Sequence, residues 1–575
     1  SSTAEFKFTV CRRSAVIVIP AAPTPRELKR LSDIDDQELL RLLFPVMIIF
    51  KRNKSPMLKN DDPAPVIRDA ISRALGPEAP APLLVLNPLA GRLRELEGRK
   101  LAVDCTGEGV VFIEADANVH LKALGGNTDI LMPPFPCLNE LIFVPAERAG
   151  SSAILNSPLL RFQLTRLACR GFILAMLCNH TIADAVGLLQ FLGAVAELSR
   201  GASAPTLTPV WQRELLKANN TPSPRFAHRE YGEEMAAATE DAAMDMVPTD
   251  VDDMVLRSFL FGRREIAMLR DHLPPDLRSS ASTFDLLSGF LWKCRTAALD
   301  PEANQEMRFI CTVDLRGSKN KARATASAIP TGYYGNAMAT PAAISMAGQL
   351  CTDPLSYAVE LVRKAKANVD MEYLQSVADL MVQRGRPPLM LLGTYVLSDL
   401  TMVSRADLHF GWGSPVYTGP AEVGGSIPWM FSFLTGYRDS KGEKGIGVPI
   451  CLPRLAMDKF VKEMGKIRAD LDFGWGSPVY TGPAEVGRSI PWMFSFLTGY
   501  RDSNGEKGIG VPICLPRLAM DKFVKEMGKM FLMSPHMVVP AAEKQPNAKN
   551  KNQGKKLNTF APRDALHRVH KYGID

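Results

Sequence analysis

Hydrophobic and polar positions follow two different periods along this chain, which predicts a mixture of strands and helices. Short β-branched runs bounded by turn residues predict strands at Lys100–Cys105 and Gly109–Glu114. Apolar residues three and four positions apart predict helices at Val66–Leu75 and Ser282–Cys294. The longest apolar stretches, such as Phe172–Cys178, stop well short of the roughly 18–20 residues that span a membrane. The pattern therefore indicates an α/β protein and predicts no membrane-spanning segment.

The C-terminal part of the chain contains one segment twice. Residues 405–466 recur as residues 468–529, and the copies differ at three positions: His409/Asp472, Gly425/Arg488 and Lys441/Asn504. Two copies this similar are not a repeat array, which needs at least about three units sharing one core. A recent tandem duplication, or an error in assembling the coding sequence, explains them better. Without one copy and the tail, about 465 residues remain, enough for two large domains.

Composition predicts the domain boundaries. The proline-containing stretch 201–235 is predicted to cross from an N-terminal domain (1–200) to a C-terminal domain (236–466). Within the latter, we expect residues 405–435 to pack with the N-terminal domain. Residues 467–530 are the duplicated copy, and the basic tail 531–575 is predicted to be disordered because of its bias toward Lys, Asn, Gln and Pro.

Charge and cysteine content narrow the classes of partner. Of the net charge of +7, the tail contributes +5, with eight Lys/Arg against three Asp/Glu, so the remainder is too weakly basic for a nucleic-acid interface. The ten cysteines form no CxxC pair and have no histidine at zinc-ligand spacing. Scattered thiols favour a reducing, cytoplasmic location. The apolar run after Arg13 is only about six residues long and is predicted to be a strand rather than a signal peptide.

Histidine is rare enough to guide the search for a site. Of the eight histidines, His180 and His272 precede an aspartate by four residues, a spacing expected by chance about 0.4 times. His272 lies in a Pro-Pro loop and is predicted to be solvated. His180 follows the apolar run 171–179 and precedes a helical pattern over Asp184–Leu198. It is therefore predicted at a strand-to-helix turn, where a side chain can face a crevice.

The chemistry of these two residues leaves alternatives open. The His180 imidazole suits general-base catalysis because its ordinary pKa lies near neutral pH, and the other interpretation is a buried histidine satisfied by the backbone. Thr181-x-x-Asp184 is a capping-box pattern, which would stabilise the start of the next helix. The carboxylate of Asp184 could also orient the His180 loop through a buried ion pair. We expect a structural role for Asp184 in either case.

A Gly/Trp motif occurs once in each copy of the duplicated segment. It reads His409-Phe410-Gly411-Trp412-Gly413 and then Asp472-Phe473-Gly474-Trp475-Gly476, a pattern expected by chance on the order of once in ten thousand chains of this length. With His180-Thr-Ile-Ala-Asp184 upstream, it resembles the plant BAHD acyl-CoA-dependent acyltransferase family. Four further stretches agree with that family: Pro88–Arg92, Pro133–Pro136, Thr331–Asn336 and Val448–Pro453.

The resemblance implies a fold and an activity. The fold is α/β, with two similar-sized domains of mixed β-sheet flanked by helices, like chloramphenicol acetyltransferase, and an active-site channel at their interface. The activity is transfer of groups other than amino-acyl groups, from acyl-CoA to an alcohol or amine. His180 would deprotonate the acceptor, which attacks the thioester directly. Acyl-CoA is expected as co-substrate, with no bound cofactor or metal and no nucleic-acid or membrane partner. The protein is expected to be a monomer with a role in plant specialised metabolism. Residues 98–109 are most similar to benzyl alcohol O-benzoyltransferase-type members, which implies a benzoyl-like or aliphatic acyl group.

The resemblance also implies that the Gly/Trp motif is structural and that its Asp pairs with an Arg, for which Arg316 is the candidate. The first copy carries His409 where the family has that Asp, so the two copies compete for one place. If the first copy packs in this place, Arg316 loses its carboxylate partner, and breaking such a buried ion pair costs about 3–5 kcal/mol of stability. Seating the second copy closes a loop of 63 residues at about 3–4 kcal/mol. These two costs are nearly equal. The first copy is favoured because it directly follows the preceding part of the fold in the chain.

Two other functional classes are considered. A hydrolase is disfavoured because the chain has no Gly-x-Ser-x-Gly elbow, and it also has no P-loop or dinucleotide-binding fingerprint. A catalytically impaired relative that acts as a binding or interaction protein is suggested by the duplication and the basic tail. Thiol release from benzoyl-CoA in the presence of benzyl alcohol would separate that alternative from an active enzyme.

Overall fold

A computed structural model describes most of the chain. The described residues are 8–51, 62–76, 86–125, 130–144, 154–232, 254–316, 329–423, 429–439, 442–466, 479–483, 498–501 and 507–510. The predicted tail 531–575 and the second Gly/Trp motif, Asp472–Gly476, lie outside them. The chain divides into two units, Ser1–Ala484 and Glu485–Asp575. None of the helices within the described residues is both long enough and apolar enough to cross a membrane.

The first unit holds almost all of the described secondary structure. The strands, in chain order, are β1 (Val10–Arg12), β2 (Val16–Val18), β3 (Leu28–Arg30), β4 (Leu43–Phe50), β5 (Arg92–Glu95), β6 (Leu101–Asp104), β7 (Val110–Ala117), β8 (Leu160–Leu167), β9 (Phe172–Asn179), β10 (Met254–Phe261), β11 (Glu306–Cys311), β12 (Val313–Asp314), β13 (Met338–Ala339), β14 (Ala342–Met346), β15 (Thr394–Asp399), β16 (Tyr417–Pro420), β17 (Phe431–Arg438), β18 (Lys444–Pro453), β19 (Val479–Pro483), β20 (Thr498–Arg501) and β21 (Lys507–Gly510). The α-helices are α1 (Pro63–Leu75), α2 (Leu121–Leu124), α3 (Leu138–Leu141), α4 (Ala185–Ser199), α5 (Arg263–Asp271), α6 (Pro275–Ser280), α7 (Thr283–Leu299), α8 (Ala347–Thr352), α9 (Leu355–Ala367), α10 (Met371–Gln383) and α11 (Arg454–Lys466).

A seven-stranded mixed sheet forms the centre of the N-terminal half. Its order is β1-β7-β8-β9-β4-β16, with β2 also on β7, and β7 and β8 are parallel while the other pairs are antiparallel. Helices α1 and α4 pack against each other over this sheet. Helix α1 begins at Pro63 because Asp62 caps it by accepting from the Ala64 N–H, and a proline in the first turn lacks an N–H that would need a partner.

A second seven-stranded sheet forms the C-terminal half, in the order β14-β11-β15-β17-β18-β10-β19. Strand β15 is parallel to both of its neighbours. Helices α9 and α11 pack against α7, whose Trp292 is fully buried. Helix α7 starts with a capping box between Ser282 and Asp285. The expected α/β fold with two mixed sheets flanked by helices is confirmed, and the strands and helices predicted from local patterns lie in β6, β7, α1 and α7.

The two copies of the duplicated segment occupy different places. In the first copy, Phe410 and Trp412 are buried in the core of the N-terminal half and β16 pairs with β4. The same copy then returns to the C-terminal sheet as β17 and β18. In the second copy, β19 pairs instead with β10 at the edge of that sheet. The first copy therefore supplies the segment that runs from the N-terminal sheet, through β16, to the C-terminal sheet, through β17 and β18.

The second unit is described only at β20 and β21, which form an antiparallel pair. Thr498 lies opposite Gly510 in this pair, just as Thr435 lies opposite Gly447 between β17 and β18. The second copy thus repeats the hairpin register of the first, because an identical sequence carries the same pairing preference.

Candidate active site

His180 lies at the turn between β9 and α4, where the sequence predicts it. Strand β9 is buried along its whole length. The backbone N–H of His180 donates to the Leu42 carbonyl at 3.0 Å, and its carbonyl accepts from Nδ2 of Asn336 at 2.9 Å. The ring of Phe44 packs on the imidazole with centroids 4.7 Å apart. Residues from both halves of the fold therefore fix the turn.

The imidazole of His180 has one enclosed edge and one open edge. Its Nδ1 is buried without a hydrogen-bond partner among the described residues, whereas Nε2 is not enclosed in this way. The residue as a whole is only half-buried, although many atoms surround the ring closely. Protein therefore surrounds most of the ring, and solvent can reach it only at the Nε2 edge.

Burial also sets the charge of this ring. The pKa of His180 is lowered from 6.5, mainly because burial disfavours the imidazolium, and it is partly restored by the residue's own carbonyl, Asp184, Asn336 and Asp35. The ring is therefore neutral at neutral pH. A neutral imidazole with an open nitrogen can accept a proton from a bound group.

Asp184 is the N-cap of α4. Its Oδ1 accepts from the Gly187 N–H at 3.0 Å, and its Oδ2 accepts from the Ala337 N–H at 3.1 Å. Both oxygens contact the guanidinium of Arg316, at 3.1 and 2.9 Å. The capping-box prediction is wrong in its register, because the hydroxyl of Thr181 donates to Oδ1 of Asn179 at 2.7 Å and Asp184 itself caps the helix. This carboxylate therefore holds the turn rather than the ring of His180.

Arg316 lies at the N-terminal end of α4, away from the first Gly/Trp motif. The carbonyl of His409 accepts from the guanidinium of Arg200, the residue that ends α4. Helix α4 has 15 residues, so about 22 Å separates its two ends. The prediction that Arg316 pairs with the motif is therefore wrong for the copy that is seated. Arg316 is paired with the carboxylate of Asp184, so it does not lose its ionic partner when the motif carries His409 instead of Asp.

The first Gly/Trp motif is a packed loop. Phe410 meets Phe50 edge to face at a centroid distance of 5.8 Å, and Trp412 meets Phe172 at 5.9 Å. Gly411 and Gly413 have φ angles of +106° and +87°, which favour glycine because a side chain would clash with the backbone. The ring of His409 accepts from the Gly411 N–H through Nδ1 at 3.2 Å. These contacts explain the spacing of the motif by packing and turn geometry.

Three buried residues beside the His180 turn were not predicted from the sequence: Asp35, Arg213 and Asn336. Arg213 donates to Oδ1 of Asp35 at 2.8 Å and to the Ile182 carbonyl at 2.8 Å. Its guanidinium also lies over the rings of Trp211, Tyr333 and Tyr334. The sequence offered two weak signals. Arg213 is a charged residue within the proline-containing crossover, and Asn336 is the last residue of the family-like stretch Thr331–Asn336.

Two glycines allow the loop 331–337 to approach the start of α4. A Cβ on Gly187 would lie 1.9 Å from the Tyr334 carbonyl oxygen, and a Cβ on Gly335 would lie 1.5 Å from Nη1 of Arg213. A side chain at position 187 would require a backbone shift, and one at position 335 would displace the buried guanidinium of Arg213. The close approach brings Asn336 and Ala337 to His180 and Asp184.

Other candidate groups are less suited to chemistry. His272 is exposed at the end of α5, as predicted, with Nδ1 2.9 Å from the Met268 carbonyl. Burial raises the pKa of the Cys178 thiol far above its usual range, which makes it a poor nucleophile. In the part of the chain that the structure describes, no cluster of three His, Cys, Asp or Glu could hold a metal ion.

Comparison with known proteins identifies relatives that cover about four-fifths of the chain. The sequence matches the Transferase family over residues 7–467 and again over residues 465–530. Benzyl alcohol O-benzoyltransferases from Nicotiana tabacum and Petunia hybrida are each 48% identical, covering 82% and 80% of this chain and 96% and 94% of their own lengths. Alcohol acyl transferase 1 allele GSa from Malus domestica is 47% identical over 80% of this chain and 94% of its own.

Solved structures show the same fold. Vinorine synthase superposes with a TM-score of 0.58 at 19% identity, over 80% of this chain and 98% of its own. TRI101 of F. sporotrichioides, complexed with coenzyme A and T-2, superposes with a TM-score of 0.52 at 16% identity, over 76% and 97%. At these identities the likeness concerns the fold alone.

Proposed function

Since the chain belongs to the BAHD Transferase family and is therefore an acyl-CoA-dependent O-acyltransferase, we propose that it acylates a small alcohol with His180 as the general base. The acyl group is benzoyl-like or aliphatic. The observation that carries this proposal is the imidazole of His180, which is neutral because of burial and open at one edge. The substrate class follows the names of the relatives, which are benzyl alcohol and alcohol acyltransferases.

The proposed reaction is a single direct transfer. The hydroxyl of the acceptor donates a hydrogen bond to Nε2 of His180. As the acceptor oxygen bonds to the thioester carbonyl carbon, its proton moves to Nε2. The tetrahedral intermediate then collapses, the C–S bond breaks, and the imidazolium returns the proton to the CoA thiolate. The products are an ester and free CoA.

The chemistry makes limited demands on the protein. A thioester carbonyl is reactive enough that a base and correct alignment account for most of the required rate. A covalent acyl-enzyme on Cys178 is disfavoured because this thiol is fully buried and its pKa is raised. Asp184 and Arg316 then serve as a structural pair that holds the turn carrying the base.

The test is incubation of the full chain with benzoyl-CoA and benzyl alcohol, with free thiol and benzyl benzoate both measured. We expect turnover by the wild type, and a loss on the order of 10²–10⁴-fold in His180→Gln, as is typical of a missing general base. His272→Gln is the matched control, since His272 is exposed and also lies four residues before an aspartate. Equal rates in His180→Gln and the wild type would exclude the proposed base.

The alternative of an impaired relative that only binds ligand predicts a different result. Such a protein would bind benzoyl-CoA in equilibrium dialysis and form no ester with any small alcohol. Besides the duplication and the basic tail, His409 in place of the family's Asp is an observation in its favour. The contacts of His409 with Arg200 and Gly411 weaken that argument, because the motif packs without the carboxylate.

We also propose that the enzyme is a cytoplasmic monomer of plant specialised metabolism. The grounds are the scattered thiols and the family. Light scattering of the purified chain tests the monomer, and a fluorescent fusion imaged in leaf cells tests the location.

A further inference from the structure

The carboxylate of Asp35 collects five hydrogen-bond donors and is completely buried. Its Oδ1 accepts from Nη1 of Arg213 at 2.8 Å, from the backbone N–H of Asn336 at 2.9 Å and from Nδ2 of Asn336 at 3.0 Å. Its Oδ2 accepts from the N–H and the hydroxyl of Ser32 at 3.1 and 2.6 Å. Because all five groups donate, only an ionised carboxylate satisfies every one of them.

This arrangement fixes the side-chain amide of Asn336. An ionised carboxylate can only accept, so the NH₂ group of Asn336 must face Asp35, and the same group also donates to the His180 carbonyl. The amide oxygen must then point elsewhere. Both Oδ1 of Asn336 and Nδ1 of His180 are buried without a hydrogen-bond partner among the described residues, and the Asn336 side chain favours the protonated imidazole by raising its pKa.

We propose that Asp35 is a positioning residue for His180, which fixes the Asn336 amide so that its oxygen holds a proton on Nδ1 of the imidazole. A neutral histidine carries one N–H, and the partner of that N–H decides which nitrogen is protonated. With the proton on Nδ1, the lone pair lies on Nε2, at the open edge of the ring. The hydrogen bond forms as the site tightens around substrate, a common difference between free and occupied active sites.

The crossover between the two halves supports this arrangement. Arg213 holds Asp35 with one nitrogen and the Ile182 carbonyl with the other, so it ties the carboxylate to the His180 turn. The charged groups that act on the imidazole are Asp35 and Asp184, which are themselves paired with Arg213 and Arg316. The inference rests on the proposed role of His180, and its test is chosen to be independent of acyl transfer.

The test compares Asp35→Asn with Asp36→Asn in the full chain. Asp36 is a close match, since its side chain is buried and pairs with Arg41 at 2.7 Å and Arg386 at 3.1 Å. The hydrogen bonds described for Asp36 go to Arg41 and to the Leu101 N–H. An asparagine at position 35 presents an NH₂ group to one of the five donors, which removes the constraint on the Asn336 amide.

The probe is diethyl pyrocarbonate, which acylates an imidazole at the nitrogen that carries the lone pair. Modification of His180 is followed by mass spectrometry at about pH 8, where a histidine of ordinary pKa about 6.5 is neutral, and exposed His272 is the internal reference. We expect Asp35→Asn to slow modification of His180 by about tenfold, comparable to the loss of a partner that orients a histidine ligand. Asp36→Asn should leave the rate unchanged.

A field effect alone predicts at most a small decrease, because the ring is already neutral at about pH 8 and a lower pKa makes it only a slightly weaker nucleophile. Removing the charge of Asp35 lowers the pKa of His180, which keeps the ring neutral at this pH. Equal modification rates in the wild type and Asp35→Asn would therefore overturn the proposal. If Asp35→Asn does not fold, Asn336→Ala removes the amide oxygen directly, and a wild-type rate in that variant would also overturn it.

The two proposals fail separately. Slower modification in Asp35→Asn without ester formation by the wild type would refute the proposed function and support the positioning of the ring. Ester formation with equal modification rates would support the proposed function and refute the role of Asp35. In an active enzyme, we expect Asp35→Asn to lower kcat with little change in KM.

Discussion

Asp184 and Arg316 form a two-point ion pair that joins the two halves of the fold beside the proposed base. The distances from the two guanidinium nitrogens to the carboxylate oxygens are 2.9 and 3.1 Å, and the side chains are 6% and 13% exposed. The same carboxylate caps α4 through the Gly187 N–H. One residue thus starts the helix after His180 and connects this turn to the loop that carries Asn336.

Replacing Asp184 by Asn should destabilise the protein. The variant retains an oxygen for the helix cap but leaves the buried guanidinium of Arg316 without this charge. We expect the free energy of unfolding to fall by about 3 kcal/mol, the lower end for a broken buried pair, since Asp314 still contacts Arg316. Chemical denaturation measures the change. The control is Asp314→Asn, whose side chain is 43% exposed, and a loss there as large as that of Asp184→Asn would contradict the assignment.

Gly187→Ala should be among the most damaging single changes in α4. The new Cβ would lie 1.9 Å from the Tyr334 carbonyl oxygen, so the helix or the loop 331–337 must move. We expect a loss of about 3 kcal/mol or more in stability, since overpacking against backbone is not relieved by a rotamer change. Gly193→Ala in the same helix is the matched control, because a Cβ there meets nothing within 4 Å, and it should stabilise the protein by about 1 kcal/mol. Similar thermal shifts in both variants would contradict the close approach.

The pH dependence of kcat/KM should report the environment of His180. Burial lowers the pKa of this group below 6.5, and a general base must be neutral to act. The acid limb of the profile should therefore have its midpoint below pH 6.5, and Asp184→Asn should move it lower still, because Asp184 raises this pKa. A midpoint above 6.5, or a shift in the opposite direction, would contradict the assignment.

The same shift affects stability. In the folded state His180 takes up its proton at a lower pH than in the unfolded chain, so between these two pKa values the unfolded state binds more protons. The contribution of His180 to the free energy of unfolding is therefore complete above about pH 6.5 and falls as the pH drops toward the folded pKa. In His180→Gln this part of the pH dependence should be absent.

Local sequence patterns predicted the turn but not the network around it. A run of apolar residues followed by a helical period is enough to place His180 between β9 and α4. Asp35 and Asn336, by contrast, are 301 residues apart, and no local period records which distant groups meet. The helix cap was misplaced because Thr181 and Asp184 both suit that role, and only the path of the backbone decides between them. The predicted pairing of Arg316 with the Gly/Trp motif is wrong because the resemblance indicated only that an arginine pairs with the motif. It did not show that Arg316 lies at the N-terminal end of α4.

His409→Asp should stabilise the first copy slightly. The carbonyl of His409 already accepts from Arg200, so a carboxylate at this position lies near an exposed guanidinium. Such pairs contribute at most about 1 kcal/mol. His409→Asn is the control, because it can accept from the Gly411 N–H without adding charge. The difference in melting temperature between these two variants should disappear in high salt, and a difference that persists would mean that charge is not its cause.

Deleting residues 468–530 while changing His409→Asp should raise the soluble yield. The second copy brings a Trp-Met-Phe-Ser-Phe run into a chain whose central place is filled by the first copy through β16 and β4, and surplus apolar segments promote aggregation. The deletion also removes β19 and uncovers β10, and an open edge strand is itself a site of association. The two effects oppose each other, and we expect the apolar run of the second copy to have the larger influence on yield. The deletion and His409→Asp should each be made alone as controls and compared by yield and gel filtration. An unchanged or lower yield for the double variant would mean that covering β10 is the more important role of the second copy.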